Sequence, residues 1–235
     1  QDDPDYTLAG AVYGIYASRA DAEADRGRLT TITTDATGAG ESGSLGATRE
    51  TFWAKEVKAS SGYALDEGVY EVGPHNDYTF ASAEPPITVR LVLKKFDAET
   101  GHGSAQGDAT LDGALYQARY ARGNATETVK GETVGATVVF EDIPLGDIEV
   151  RELSPSGGYL LDRDVHRIRV TADMAQGGAR VIEVEPQGEF GEDPQRGGFI
   201  VGKGDTERYE HEDGEFWNYA QGDATFEGAE FTVYN

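Results

Sequence analysis

The segment Ala105–Tyr120, AQGDATLDGALYQARY, returns at Ala220–Asn235 as AQGDATFEGAEFTVYN, with eight identities in sixteen positions. A second echo sets the same register: FWAKEVKASSGYALDEGVYEV at 52–72 aligns with IEVRELSPSGGYLLDRDVHRI at 148–168. It brings Glu56 onto Glu152, Gly62 onto Gly158, Tyr63 onto Tyr159 and Asp66 onto Asp162. A third lies in YTLAGAVYGIY at 6–16, which shares Thr-Leu-x-Gly-Ala, an apolar residue and Tyr with 110–116. A spacing of roughly one hundred residues is too long for a solenoid unit and fits whole small domains strung in series. The echoes predict a first body at 1–86 lacking its opening strand, a complete body at 87–190, and the opening strands of a third at 191–235.

Within each body the periodicity is that of strands. Ile87, Val89, Leu91 and Leu93 fall on one face and Thr88, Arg90 and Lys94 on the other, with Val92 breaking the polar side. The same phase carries Lys95 onto the apolar face, where a lysine needs a partner. Phe52, Ala54 and Glu56 share a face, as do Ile148, Val150 and Glu152, so an acid points inward twice. Short apolar runs punctuated by Gly, Pro, Asn and Asp fill the rest, and only Ala17–Arg28 is rich enough in helix formers for a turn or two of helix. The expected fold class is all-β, as tandem antiparallel Ig-like sandwiches.

Composition narrows the function. Formal net charge is -23 and the pI is near 4.4, which disfavours nucleic acid and anionic lipid as partners. Without cysteine there is no disulfide scaffold, thiolate metal site or thiol nucleophile. His75, His102, His166 and His211 share no recurrent spacing, and the serines lack a nucleophile-elbow context, so neither metal nor cofactor is expected and the chain is not expected to be an enzyme. No apolar run approaches membrane-spanning length. The chain opens on QDDPDYTLAG without a leader and stops inside an alternating segment at FTVYN, as expected of a piece of a longer protein.

Lys95-Phe96-Asp97, the following QGDATLDGALY, RELSPSGGYLLD and the closing VEP at 184–186 occur in the order seen in Cna B-type or SpaA-like prealbumin-fold repeats, and the chain resembles that family of Gram-positive surface proteins. The resemblance implies a cell-wall-anchored, extracellular stalk or pilin-like module, with neighbouring repeats of the same chain as its first partners. It also implies an intramolecular isopeptide bond between a strand lysine and an Asn or Asp of the last strand, assisted by a glutamate. Carried onto this chain, Lys95 is the lysine and Glu152 the assisting acid, while the acceptor slot holds Val184, so an ion pair rather than a bond is expected. Glu56 is the acid of the first repeat, whose lysine strand is absent, and Lys203 is the lysine of the third. An adhesin head recognising host matrix protein or glycan remains the alternative, for which an aromatic-lined concavity would be the sign. Trp53, out of phase with Glu56, is expected on an outer face, and Trp217 lies in a polar insertion.

Overall fold

The computed structural model describes residues 5–45, 50–175, 178–203, 209–212, 215–218, 220, 223–225 and 227–233. The chain is mostly β and divides into two compact units, Gln1–Gln195 and Arg196–Asn235.

The first unit begins with β1 (Val12–Tyr16), a single helical turn α1 (Arg19–Glu23), β2 (Thr30–Thr33), β3 (Phe52–Lys58) and β4 (Val69–Val72). These strands make one antiparallel sheet in the order β2-β1-β3-β4. Ser18 caps α1 through the Asp21 amide, as short polar residues do at helix starts. The sheet's inner face carries Ile15, Phe52, Ala54 and Val72, with Ile32, Tyr70 and Phe80 packed against them.

The chain continues through β5 (Thr88–Lys94), β6 (Phe96–Asp97), β7 (Leu115–Arg122), β8 (Ala125–Glu132), β9 (Thr137–Pro144), β10 (Gly146–Ser154), β11 (His166–Val170), β12 (Val181–Val184) and β13 (Gly191–Glu192). One sheet runs β11-β10-β7-β8, the order of the first sheet with each strand replaced by its counterpart, and a second runs β12-β5-β9. Val89, Leu91, Leu93 and Phe140 from the second sheet share a core with Tyr116, Ala118, Ile148 and Val150 from the first, so the two sheets form a sandwich. The alternation read in Ile87–Leu93 and Ile148–Glu152 is the observed burial pattern, and Val92 is buried as well.

The sandwich is not wholly antiparallel, which corrects the expectation. β12 runs parallel to β5, with Val181 opposite Thr88 and Val184 opposite Leu91, and β13 runs parallel to β6, with Glu192 opposite Asp97. Strand direction is set by how the chain returns, which side-chain alternation does not encode. The body also runs past residue 190. The Leu160 amide donates to the Asp193 carbonyl and the Gln195 amide to the Gly158 carbonyl, so Gly191–Gln195 pair with this sandwich.

Tyr6 joins the first sheet's region to the sandwich. Its hydroxyl donates to the Ile87 carbonyl at 2.7 Å and accepts from the Leu145 amide at 2.8 Å, and Arg169 pairs with Asp5 at 2.6 Å. Ala64 packs into the larger core, whereas Phe52 and Leu93 belong to separate clusters. In the second unit, β14 (Tyr209–Glu212) and β15 (Glu215–Asn218) form an antiparallel hairpin. Phe226, Tyr234 and the side chain of Trp217 lie outside the described residues.

Tyr6→Phe removes both bonds and leaves a carbonyl and an amide unpaired, at a cost of about 1–3 kcal/mol. Urea denaturation should show a lower midpoint at unchanged m-value.

Candidate functional site

Lys95 follows the last residue of β5, and its ammonium is fully enclosed. Four elements converge on it. Glu152 from β10 lies 3.2 Å away through Oε1, Glu192 from β13 lies 3.2 Å away through Oε1, and the Ser156 hydroxyl accepts at 3.0 Å. The Tyr116 ring of β7 presents its face with its centroid 5.6 Å from Nζ. The carboxylates are held in turn: the Asp162 amide donates to Glu152 Oε2 at 2.8 Å, and the Tyr116 hydroxyl donates to Glu192 Oε1 at 2.8 Å. Glu192 Oε2 makes no hydrogen bond among the described residues. Burial pushes the Glu192 carboxyl above the ordinary glutamate range, against the Tyr116 hydroxyl and the Lys95 ammonium, which pull it down.

The structure brings Lys95 and Glu152 together as expected but places Glu192, not Val184, as the third member. Val184 pairs with Leu91, four residues before Lys95, so its side chain belongs to an earlier level of the sandwich. Glu192 has a counterpart in the first region, which the structure reveals. Tyr159 bridges Pro194 and Tyr63 bridges Pro86, so Glu192-Asp193-Pro194 corresponds to Glu84-Pro85-Pro86, a glutamate two residues before a proline in both places.

Beside this cluster Asp97 ties two sequence motifs together. It accepts from the Tyr159 hydroxyl at 2.9 Å, from Gln106, and from the amides of Glu99 and Thr100. Burial alone would raise its carboxyl, but these donors outweigh it and bring it down to about 2. The Lys-Phe-Asp and Gly-Gly-Tyr elements are therefore one contact, and Gly158 stands at φ +87° where the Cβ of any other residue would lie 2.5 Å from that of Ala109.

The first sheet carries the same constellation without the lysine. Glu56 and Tyr13 face each other across β3 and β1, as Glu152 and Tyr116 do across β10 and β7. The Asp66 amide donates to Glu56 Oε2 at 2.5 Å, Tyr13 donates to Glu84 Oε1 at 3.2 Å, and Ser60 donates to Glu84 Oε2 at 2.8 Å. Glu56 Oε1, the counterpart of the oxygen that meets Lys95, is buried and makes no hydrogen bond among the described residues. Burial, opposed by the Asp66 amide and reinforced by Glu84, pushes the Glu56 carboxyl up to about 7.

Trp53 lies on the face opposite Phe52, Ala54 and Glu56, as expected, and is half-buried beneath the Arg19 guanidinium of α1, 5.6 Å from its ring centroid. Lys203 is described and exposed. Among the described residues no group of three or more His, Asp or Glu could hold a metal ion, and no helix is long and apolar enough to cross a membrane.

Neither a protein-family model nor a curated protein matches the chain. Solved structures do match, and their neighbourhood is one of Gram-positive pilins and pilus adhesins. The TIE protein of Bacillus anthracis is 19% identical with a TM-score of 0.49, the match covering 82% of this chain and 32% of that one. The minor pilin GBS52 of Streptococcus agalactiae is 15% identical with a TM-score of 0.32, covering 83% and 87%. The pilus adhesin SpaC of Lactobacillus rhamnosus GG is 13% identical with a TM-score of 0.39, covering 83% and 30%. The chain thus spans about a third of the TIE protein's length.

Lys95→Met leaves Glu152 and Glu192 buried against each other and should cost about 3–5 kcal/mol. Adding Glu152→Gln and Glu192→Gln should recover some of that loss, and the single variant's deficit should be larger at pH 8 than at pH 5, since acid lets one carboxyl take a proton. Denaturant melts at the two pH values read both effects.

Glu56 makes the opposite demand of pH from a salt-bridged acid. The folded state holds its proton more tightly than the unfolded chain, so the associated stability is complete below the ordinary glutamate range and is lost as pH rises through about 7. Glu56→Gln should flatten this fall between pH 5 and 8.

Proposed function

We propose that the chain is a structural segment of a cell-wall-anchored, extracellular stalk of the pilin or adhesin kind, built from tandem prealbumin-like sandwiches and performing no turnover chemistry. The first repeat ends near Pro86 and the second spans 87–195, a boundary moved from 190 because Gly191–Gln195 pair with the second sandwich. The observation that carries the reading is the enclosed Lys95 ammonium between Glu152 and Glu192. It joins the end of the first strand to a middle strand and to the last strand, the three elements that must separate for the sandwich to open. The order of Lys-x-Asp, Glu-x-x-Pro-x-Gly-Gly-Tyr and Glu-x-Pro supports the same assignment.

The clamp is read as an ion triad. Two carboxylates around one ammonium leave no amide to attack, and condensation would require the lysine to lose its proton, attack a carboxyl carbon and expel water. A bond to Glu192 or Glu152 would lower the intact mass by one water.

The test is mechanical. The full chain is held by its two ends in a single-molecule pulling experiment, alongside Lys95→Met and with the intact mass measured on the same sample. An unfolding force for the 87–195 event that falls in Lys95→Met, at full sequence mass, is the expected result. An unchanged force removes the clamp from the stalk reading, and a mass deficit of one water on a cross-linked peptide containing Lys95 replaces the ion triad by a covalent bond.

A further inference from the structure

The outer face of the sheet β11-β10-β7-β8 gathers cations in a chain whose formal net charge is -23. Tyr116 and Ala118 of β7 point into the core, so Gln117 and Arg119 stand on the opposite face. The register sets Gln117 between Lys130 of β8 and Arg151 of β10. In the adjoining row Arg119 lies opposite Glu149 of β10, and Glu149 opposite Arg167 of β11. The two rows hold four cations, Arg119, Lys130, Arg151 and Arg167, against one carboxylate.

The rows differ in how far they are satisfied. Glu149 accepts from Arg119 at 2.9 Å through Oε2 and from Arg167 at 3.2 Å through Oε1. In the other row the side chains of Arg151, Lys130 and Gln117 make no hydrogen bond or ion pair among the described residues. Gln117 is nevertheless only 9% exposed. A carboxamide buried to that degree has two donors and a carbonyl to satisfy, and this one opens on a cavity of about 270 Å³ lined also by Arg119, Glu149, Arg151 and Val165.

The lining selects among ligands. Arg151 offers a planar fork of donors that fits a carboxylate two bonds at a time, and the Gln117 amino group adds another beside it. The same walls also accept. The Gln117 carbonyl has no partner among the described residues, and Glu149 Oε2, bonded by Arg119, keeps a lone pair. Acceptors so placed oppose an ionised phosphate or sulfate, which brings no proton, and suit an anion that also carries hydroxyls. The cavity lies over β7 and β10, whose backbone groups are paired to strands on both sides, so a peptide could add no main-chain bonds there. Its volume lies below that of drug-sized sites and admits one small molecule or one unit of a polymer. No aromatic ring lines it among the described residues, and the exposed Val165 supplies its apolar wall.

We propose that this face binds a sugar acid, a hydroxylated ring bearing one carboxylate: Arg151 and the Gln117 amino group take the carboxylate, the Gln117 carbonyl and Glu149 take ring hydroxyls, and Val165 covers ring carbons. Hydrogen bonds from Arg119 and Arg167 hold the Glu149 carboxyl below the ordinary glutamate range, so it is an acceptor at neutral pH. Lys130 adds to the positive field that draws an anion to an otherwise acidic molecule. The site is separate from the Lys95 clamp, which is enclosed on the inner face of the same sheet, and stands whether or not that clamp carries force.

The test is an NMR titration of the full chain at low ionic strength with glucuronate, galacturonate and N-acetylneuraminate, following the Gln117 side-chain amide, the Arg151 Nε–H and the Val165 backbone amide. Glucose, acetate and inorganic phosphate are titrated alongside. The expected result is saturable shifts of these three groups with at least one sugar acid, and at least tenfold weaker binding of glucose, acetate and phosphate. Arg151→Gln and Gln117→Leu should each weaken the sugar acid at least tenfold. Gln117→Leu keeps the side chain's bulk, and unchanged amide shifts of Val89–Leu93 in both variants show that the sandwich is intact. Acetate or phosphate binding as tightly as the best sugar acid would overturn the ligand class. Sugar-acid binding that survives both substitutions unchanged, or no saturable shift of these groups with any of the three acids, would overturn the site.

Discussion

An ammonium group buried inside a β-sandwich obliges the strands around it to deliver acids, and the second sandwich is arranged to meet that demand. Lys95 can be enclosed only if β10 brings Glu152, β13 brings Glu192 and the turn after β10 brings Ser156, all within hydrogen-bonding reach. The demand propagates outward. Glu152 is held by the Asp162 amide and Glu192 by Tyr116, so the turn before β11 and the middle of β7 are recruited to the same point. Such a cluster contributes little net stability compared with apolar packing of equal volume, but it penalises any arrangement in which one of its strands is missing or slipped.

The first region shows what the same geometry does when the cation is left out. Its tyrosine, serine and two glutamates keep their mutual positions, yet Glu56 has one oxygen without a hydrogen-bond partner among the described residues and a carboxyl that holds its proton up to about 7. In the second sandwich, by contrast, the matching oxygen of Glu152 is satisfied by Lys95. The comparison separates the two roles of the acids: they are positioned by backbone amides and tyrosine hydroxyls, and neutralised by the lysine.

Much of this was legible in the residues. Alternation in Ile87–Leu93 and Ile148–Glu152 located two core strands and aimed Lys95 and Glu152 inward, because a half-buried strand exposes every second side chain. The echo between 52–72 and 148–168 found Glu56. Glu192 was hidden for a physical reason. It sits on a two-residue strand inside the polar run Gln187–Gln195, too short to show a period, whereas Val184 lies in a plain alternating segment and drew the assignment. The parallel direction of the last strands was equally hidden, since pairing direction depends on the path of the chain. Trp53 stands on the face opposite Glu56, as its phase requires, but the strand pattern carries no sign that a single turn of helix, α1, brings Arg19 across it.

That parallel pairing bears on how the sandwich built from β5–β13 would respond to tension. β5 enters and β12 leaves in the same direction, with β13 following β6 likewise, so the chain comes in at one pole of the body and departs at the other. A pull on the two ends then slides the first and last strands lengthwise past each other, and the hydrogen bonds between them are strained all at once. In an antiparallel pair the ends would lie at one pole and the bonds would open in succession, like a zipper. Lys95 and Glu192 sit at the far end of that sliding contact, where the strands cannot shift by even one residue without tearing the ammonium from its carboxylate.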